Sequence, residues 1–173
     1  MRNQPGFTLI ELIVVIAILA IFVTTAVPGF SRLVTRERRV STVLSVVRAL
    51  NFARAKAITT GRYIQVCKSG DAAQCDESVT WSDGWIVYVD RDEDSDLDAE
   101  ERILRRRGAM DESVELTANQ NAFTFRPTPH PSTAGSLFVC VGNQAYGEAV
   151  IISFTGRVRT APEKADGSPV ECG

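Results

Sequence analysis

One apolar segment near the amino terminus constrains this chain more than any other feature. Residues 9–27 form an apolar run that contains a single charged side chain, Glu11. A helix rises about 1.5 Å per residue, so a run of this length spans about 28 Å, close to the hydrocarbon core of a bilayer. We therefore predict a transmembrane helix over residues 7–29. Because a charge inside a membrane is costly, Glu11 calls for a functional explanation.

Two ordinary targeting segments fit this amino terminus poorly. A cleaved secretory signal has a shorter apolar core followed by small residues at a cleavage site, and no such site precedes Pro28. A simple anchor keeps its more basic flank in the cytoplasm. Here four arginines follow the apolar run: Arg32, Arg36, Arg38 and Arg39. The charges alone would therefore keep the residues after the apolar run in the cytoplasm. A simple membrane anchor, in which Glu11 is incidental, is the alternative interpretation.

All four cysteines, Cys67, Cys75, Cys140 and Cys172, lie beyond the apolar segment. An even number there predicts two disulfides in an oxidising compartment. A zinc site is not expected, because no cysteines have C-x-x-C spacing and His130 is the only histidine. Four cysteines permit three pairings. We favour Cys67–Cys75, which closes a short polar loop, and Cys140–Cys172, which ties the tail to a strand.

The pattern beyond the apolar run predicts an amphipathic helix and then strands. Apolar residues recur at helical spacing as far as Gly61, a natural helix terminator: Val40, Val43, Leu44, Val47, Leu50, Ala53, Ala57 and Ile58. Eight segments have the composition of strands: 63–68, 85–90, 102–106, 113–117, 122–126, 137–142, 149–154 and 157–161. Because no helices separate them, we expect an α+β fold with one long helix packed on an antiparallel sheet.

The stretch GFTLIELIVVIAILAI, residues 6–21, resembles the signal of type IV pilins and type II secretion pseudopilins. In that family a prepilin peptidase cuts after the glycine, here Gly6, and the new amino terminus, here Phe7, is methylated. The fifth residue of the mature chain is a glutamate, here Glu11. In a helix bundle it can pair with a methylated amine and specify register. The resemblance implies a leader over 1–6 and a periplasmic part over 30–173.

Two further stretches are similar to the GspH/FimT group of minor pilins. They are WSDGWIVYVDRDEDSDLDAEERILR, residues 81–105, and VIISFTGRVRT, residues 150–160. The resemblance implies the pilin fold, a single-pass inner-membrane protein, and assembly with major and minor pilins into a type IV pilus or its tip. The alternative is a structural pseudopilin of type II secretion.

The second of these stretches contains a G-R-x-R element, in which Gly156 precedes Arg157 and Arg159. In an extended segment alternate side chains point the same way about 7 Å apart, comparable to neighbouring phosphates on a DNA strand. Gly156 would allow a tight turn and close backbone approach, and Lys164 would extend the basic patch. FimT-like pilins with such an element are similar to proteins implicated in DNA capture, so the resemblance implies binding of double-stranded DNA. The alternative is a solvated basic hairpin.

The stretch DRDEDSDLDAEE, residues 90–101, carries eight acids and one arginine. Six acids occupy positions 1, 3, 5, 7, 9 and 12 of a calcium-loop pattern: Asp90, Asp92, Asp94, Asp96, Asp98 and Glu101. The sixth position, normally glycine, is Ser95, and no helices flank the segment, so it is not an EF-hand. Calcium would relieve the repulsion between the acids. The alternative is a solvated acidic hairpin loop that faces arginines of segment 102–107.

The sequence gives no sign of catalysis. It contains no nucleophile–base–acid set and no glycine-rich loop that would cradle a phosphate. We expect Trp81 and Trp85 to pack the sheet rather than to stack on bases. The prediction is therefore a non-enzymatic protein with no cofactor other than calcium.

Overall fold

The computed structural model describes residues 8–128 and 130–172, without the side chains of residues 23–29 and 32. It divides into two compact units, Met1–Glu37 and Arg38–Gly173. Helix α1, Leu9–Thr60, is continuous and crosses the division. Among the described residues, none of the helices combines the length and the hydropathy that a membrane crossing requires. The transmembrane assignment of residues 7–29 therefore stays a prediction.

The second half of α1 buries a narrow face in the core of the second unit. Val43, Val46, Leu50, Ala53 and Ala57 are buried and recur every three or four residues, as one face of a helix requires. The predicted face was partly wrong, because Val40, Leu44 and Ile58 are exposed. They lie on the flanks of the buried stripe, where apolar character alone does not decide burial. Gly61, with φ +64° and its N–H bonded to Ala57 O at 3.0 Å, follows the helix end.

Eight strands follow, each within two residues of its predicted bounds. They are β1 Tyr63–Lys68, β2 Trp85–Asp90, β3 Arg102–Arg107, β4 Val114–Ala118, β5 Ala122–Phe125, β6 Gly135–Val141, β7 Glu148–Ile152 and β8 Val158–Ala161. The predicted α+β fold, with a long helix packed on antiparallel strands, is confirmed, but the strands form two sheets rather than one. The strands form two four-stranded antiparallel sheets, ordered β3-β2-β1-β5 and β4-β6-β7-β8. Strand β1 pairs with β5 in the first sheet, and β4 pairs with β6 in the second. The local sequence pattern of a strand does not encode which strand it pairs with.

One hydrophobic core contains residues from α1 and from both sheets. Trp81 and Trp85 are buried in it, which confirms their predicted packing role. The Trp81 ring lies 5.6 Å from that of Phe123, and its indole N–H donates to Gln120 O at 3.0 Å. The buried indole thus has a partner for its polar atom.

Both predicted disulfides are confirmed. Cys67 in β1 is bonded to Cys75, and Cys140 in β6 is bonded to Cys172. The second bridge holds the carboxy-terminal tail against the outer face of the second sheet, where Val170 is buried. The tail that follows β8 is therefore attached to the sheet that carries the G-R-x-R element.

Candidate functional site

The G-R-x-R element spans the end of the β7–β8 turn, at Gly156 and Arg157, and the start of β8, at Val158 and Arg159. Ser153 N–H donates to Arg157 O at 3.0 Å, and Gly156 N–H donates to Ser153 O at 2.8 Å. Gly156 has φ +69°, a conformation that glycine adopts without strain. A β-carbon there would lie 3.1 Å from Ser132 Oγ and 3.3 Å from Phe125 Cδ1. Gly156 is buried under these side chains, so it shapes the turn and its backbone is not open to close approach by DNA.

Arg157 and Arg159 are both exposed at this turn. Arg159 lies opposite Ile151 in the β7–β8 ladder, while Val158 between them packs against the main core. Strand alternation therefore puts both guanidinium groups on the side away from that core. Among the residues that the structure describes, neither guanidinium has a hydrogen bond or an ion pair. Both charges are available to an external anion.

Lys164 lies on the same face of the second sheet as Arg159. Its Nζ is 5.8 Å from the centre of the Phe138 ring. Phe138 is opposite Ala149, which is opposite Ala161, two residues along the strand from Arg159. The outer face of this sheet therefore carries two basic side chains, with Arg157 at its end.

Phe154 is a surface residue of this turn that the sequence analysis missed. The predicted strand 149–154 included it, but β7 ends at Ile152 and Phe154 is 71% exposed. Its carbonyl oxygen accepts from Ser132 N–H at 2.8 Å, which joins the turn to the proline-rich loop between β5 and β6, residues 126–134. On that loop the Arg126 guanidinium donates to Pro131 O at 2.9 Å and is thus already engaged.

The acidic loop, residues 90–101, brings three of its six predicted calcium ligands together. Asp90, Asp92 and Asp94 each offer an oxygen, and these three oxygens lie within 4.8 Å of one another. Asp90 is buried, whereas Asp92 and Asp94 are exposed. Burial raises the pKa of Asp90, although a hydrogen bond from Glu93 N–H to its Oδ1, at 2.7 Å, acts in the opposite direction.

The other three predicted ligands lie outside this group of oxygens. Glu101 accepts from the backbone N–H groups of Arg91 and Asp98 and so closes the base of the loop. Asp96 contributes its backbone N–H to Asp94 Oδ1 at 2.9 Å. Of the six predicted calcium ligands, three therefore form a cluster of carboxylates in the described residues, and a fourth, Glu101, accepts hydrogen bonds from the loop backbone.

The arginines of β3 do not all face the acidic loop, contrary to the alternative considered above. Arg105 lies over the ring of Phe52 in α1, with its guanidinium carbon 3.7 Å from the ring centre. Arg106 lies opposite Ile86 and so points to the outer face of the sheet. Arg102 and Arg106 both line a shallow cleft with Asp98 of the loop. Alternation along β3 explains this division, because Arg105 and Arg106 are consecutive.

Glu11 lies in the first turn of α1, where the sequence analysis missed a capping signal. Its N–H donates to Thr8 Oγ1 at 3.3 Å, so Thr8 caps the helix in a Thr-x-x-Glu arrangement. A carboxylate in the first turn interacts favourably with the helix dipole. The predicted cleavage and methylation residues, Gly6 and Phe7, lie outside the described residues.

Two protein-family profiles match the chain. Residues 42–156 match the family described as type II transport protein GspH, and residues 1–27 match the prokaryotic N-terminal methylation motif. A fimbrial protein of Pseudomonas aeruginosa is 41% identical over 64 residues, which make up 37% of this chain and 41% of that protein. The chain thus spans less than half the length of the curated relatives it matches.

Two crystal structures of the type IV minor pilin FimU of Pseudomonas aeruginosa share this fold. Their TM-scores are 0.55 and 0.59, each at 19% sequence identity. The matched regions cover 77% and 80% of this chain and 98% and 97% of the FimU chains. The long helix packed on antiparallel sheets is therefore the pilin fold.

Proposed function

The chain belongs to the family described as type II transport protein GspH, and we propose that it is a minor subunit of a type IV pilus that binds double-stranded DNA. The methylation motif over residues 1–27 supports a precursor that is held in the inner membrane. The domain beyond the membrane helix then lies in the periplasm until the subunit enters the pilus or its tip. Its role is structural and adhesive, with no catalytic step.

The amino-terminal unit supports assembly into a helical bundle. Every described side chain from Leu9 to Phe22 is exposed, and all but Glu11 are apolar or small. In a filament the equivalent helices of other pilins would cover this surface, and Glu11 would pair with the methylated amine of Phe7. Intact-mass measurement of membrane-extracted protein tests the processing step. We expect a chain that begins at N-methylated Phe7, whereas a mature population that retains Met1 contradicts the assignment.

The unpaired arginines of the β7–β8 turn are the observation that carries DNA binding. Two exposed guanidinium groups at the hydrogen-bonded turn can each contact a phosphate, and Lys164 offers a third cation on the adjoining face. The net charge of the chain is −2, so binding must be local rather than spread over the surface. Two or three phosphate contacts predict a log–log salt slope of about −2 to −3 and affinity in the micromolar range or weaker. Several subunits at a filament tip would act together and raise the avidity.

A gel-shift titration with the detergent-solubilised full chain tests this proposal. We expect Arg157→Gln and Arg159→Gln each to weaken binding, and the double variant to lose nearly all of it. The matched control is Arg106→Gln/Arg107→Gln, which removes the same charge from exposed positions of β3. The control variant should shift DNA almost as well as the wild type.

Two results would overturn the DNA proposal. One is the absence of any shift by the wild type at low salt, and the other is an equal loss in the control and the G-R-x-R variants. The second would mean that general charge, not this turn, governs the interaction.

A second candidate function is a pseudopilin of type II secretion without DNA binding. It is favoured by the family match over residues 42–156, whose description is a transport protein. Deletion of the gene distinguishes the two functions. Loss of protein secretion with normal DNA uptake supports the pseudopilin, and the reverse supports the pilus subunit.

A further inference from the structure

The acidic loop is fixed to the outer face of the first sheet rather than extended into solvent. The Tyr88 hydroxyl donates to Ser95 O at 2.9 Å, and Leu97 packs on a cluster that includes Tyr88 and Ile86. Glu93 and Ser95 have positive φ values, +69° and +75°. Ser95 thus takes the backbone conformation that glycine supplies at the sixth position of a calcium loop.

Asp90 places a buried and unpartnered oxygen at this loop. The residue is 1% exposed, and among the described residues none donates a hydrogen bond of ordinary geometry to its Oδ2. The buried side-chain amide of Gln65 lies on the same face of the sheet and acts on the Asp90 carboxylate, but no hydrogen bond of ordinary geometry joins its Nε2 to Asp90 Oδ2. A buried carboxylate oxygen is normally compensated by a donor or a cation. This unpartnered oxygen is an observation separate from the clustering of acids around it.

No ion pair neutralises the charge of the acidic loop in the part of the chain that the structure describes. Its twelve residues carry eight acids and only Arg91 as a base. In the described part of the chain the one ion pair joins Arg38 and Asp111, far from the loop in sequence. The carboxylates therefore repel one another with no described cationic side chain at contact distance, even though Arg102 and Arg106 line the neighbouring cleft.

We propose that Asp90, Asp92 and Asp94 bind one calcium ion. Their three oxygens lie within 4.8 Å of one another, and ligands on opposite sides of a calcium ion at 2.3–2.6 Å are separated by about that distance. The ligand set contains only oxygen, which excludes a preference for zinc or copper. Backbone carbonyls and water complete the six to eight ligands that calcium takes, and magnesium demands a stricter octahedron.

The ion would fasten the acidic loop to the end of β2 in the first sheet. It would compensate Asp90 Oδ2 and draw the exposed Asp92 and Asp94 onto the buried residue. Glu101 keeps its bonds to the backbone of Arg91 and closes the loop from the other end. The site is therefore made by three of the six acids of the pattern.

Isothermal titration calorimetry on the detergent-solubilised full chain, stripped of metal with a chelator, tests this site. We expect one calcium ion bound with a dissociation constant of about 10⁻⁴–10⁻³ M, the range of extracellular calcium modules. Asp92→Asn/Asp94→Asn should weaken binding by about tenfold or more, since two of three carboxylate ligands are lost. Both positions are exposed, so the variant should fold.

The matched control is Glu93→Gln/Glu100→Gln, which removes the same charge from the same loop at positions outside the cluster. It should bind calcium within about threefold of the wild type, because exposed charges that do not contact the ion contribute little to the binding free energy. Circular dichroism of both variants without calcium checks that the fold is retained. The site is overturned if the wild type binds no calcium at about 10 mM, an order of magnitude above the weakest expected constant. It is equally overturned if the control loses as much affinity as the ligand variant, or if magnesium binds as tightly.

Discussion

The Cys140–Cys172 disulfide should stabilise the folded chain more than the Cys67–Cys75 disulfide does. The two bridges join residues separated by 32 and by 8 positions in the sequence. A cross-link acts mainly by restricting the unfolded chain, and the entropy it removes grows with the logarithm of the loop length. The disulfide that closes the longer loop therefore makes the larger contribution to the free energy of unfolding.

The loop lengths set the size of this difference. For the separation of 32 residues the chain-entropy relation gives about 3.7 kcal/mol at 25 °C. For the separation of 8 residues it gives about 2.5 kcal/mol. The longer bridge also holds the tail that buries Val170, so its loss should cost at least the additional ~1.2 kcal/mol that the entropy relation gives.

Urea unfolding of two double variants measures the difference. Cys140→Ala/Cys172→Ala and Cys67→Ala/Cys75→Ala remove the same atoms, and Cys140 and Cys67 are both buried in the folded chain. Tryptophan fluorescence follows the transition, and extrapolation gives the free energy of unfolding of each variant. Equal losses, or a larger loss for the Cys67–Cys75 pair, would refute the reasoning from loop length.

Three further perturbations test other parts of the molecule. Gly156→Ala should lower the free energy of unfolding by about 1–2 kcal/mol, because alanine is strained at φ +69°; urea unfolding measures it, and an unchanged midpoint contradicts the strained turn. Glu11→Ala should still be processed but should be depleted from sheared pili, whereas the exposed control Glu37→Ala should be incorporated normally. The pKa of Asp111 is lowered by hydrogen bonds from Ser113, so the stabilisation it provides is present above the ordinary value of 3.8 and is lost as pH falls through the folded-state pKa. The Asp111→Asn variant should therefore lose less stability than the wild type as the pH falls below 3.8. Urea midpoints across this range measure the loss, and a pH profile identical to that of the wild type would contradict the contribution of Asp111.

The strands of this protein could be located from the sequence because the signals are local. Alternation in segments such as 122–126, and the β-branched composition of 85–90, reflect the environment of each residue and its near neighbours. Gly61 marked the end of α1 for the same reason, since glycine adopts a positive φ without a penalty. The short polar loop between Cys67 and Cys75 likewise made their pairing predictable.

The division into two sheets could not be predicted in the same way. Strand β1 pairs with β5 across more than fifty residues, and β4 pairs with β6 in the other sheet. Such pairing depends on which surfaces are buried together, and a strand's own composition does not identify its partner. The buried face of α1 depends on the same packing, which places Val46 in the core and leaves Leu44 exposed.

The sequence by itself determined which residues carry charge: two arginines after Gly156 and eight acids in the segment from Asp90 to Glu101, ends included. Only the tertiary structure decided which of these charges are exposed, buried or paired. Folding buries Gly156 under the proline-rich loop and leaves Arg157 and Arg159 in solvent. It also buries Asp90, whose Oδ2 has no donor among the described residues. The physical reason is that the free energy of a charge depends on its dielectric surroundings and its neighbours. Those neighbours come from strands that are distant in the sequence.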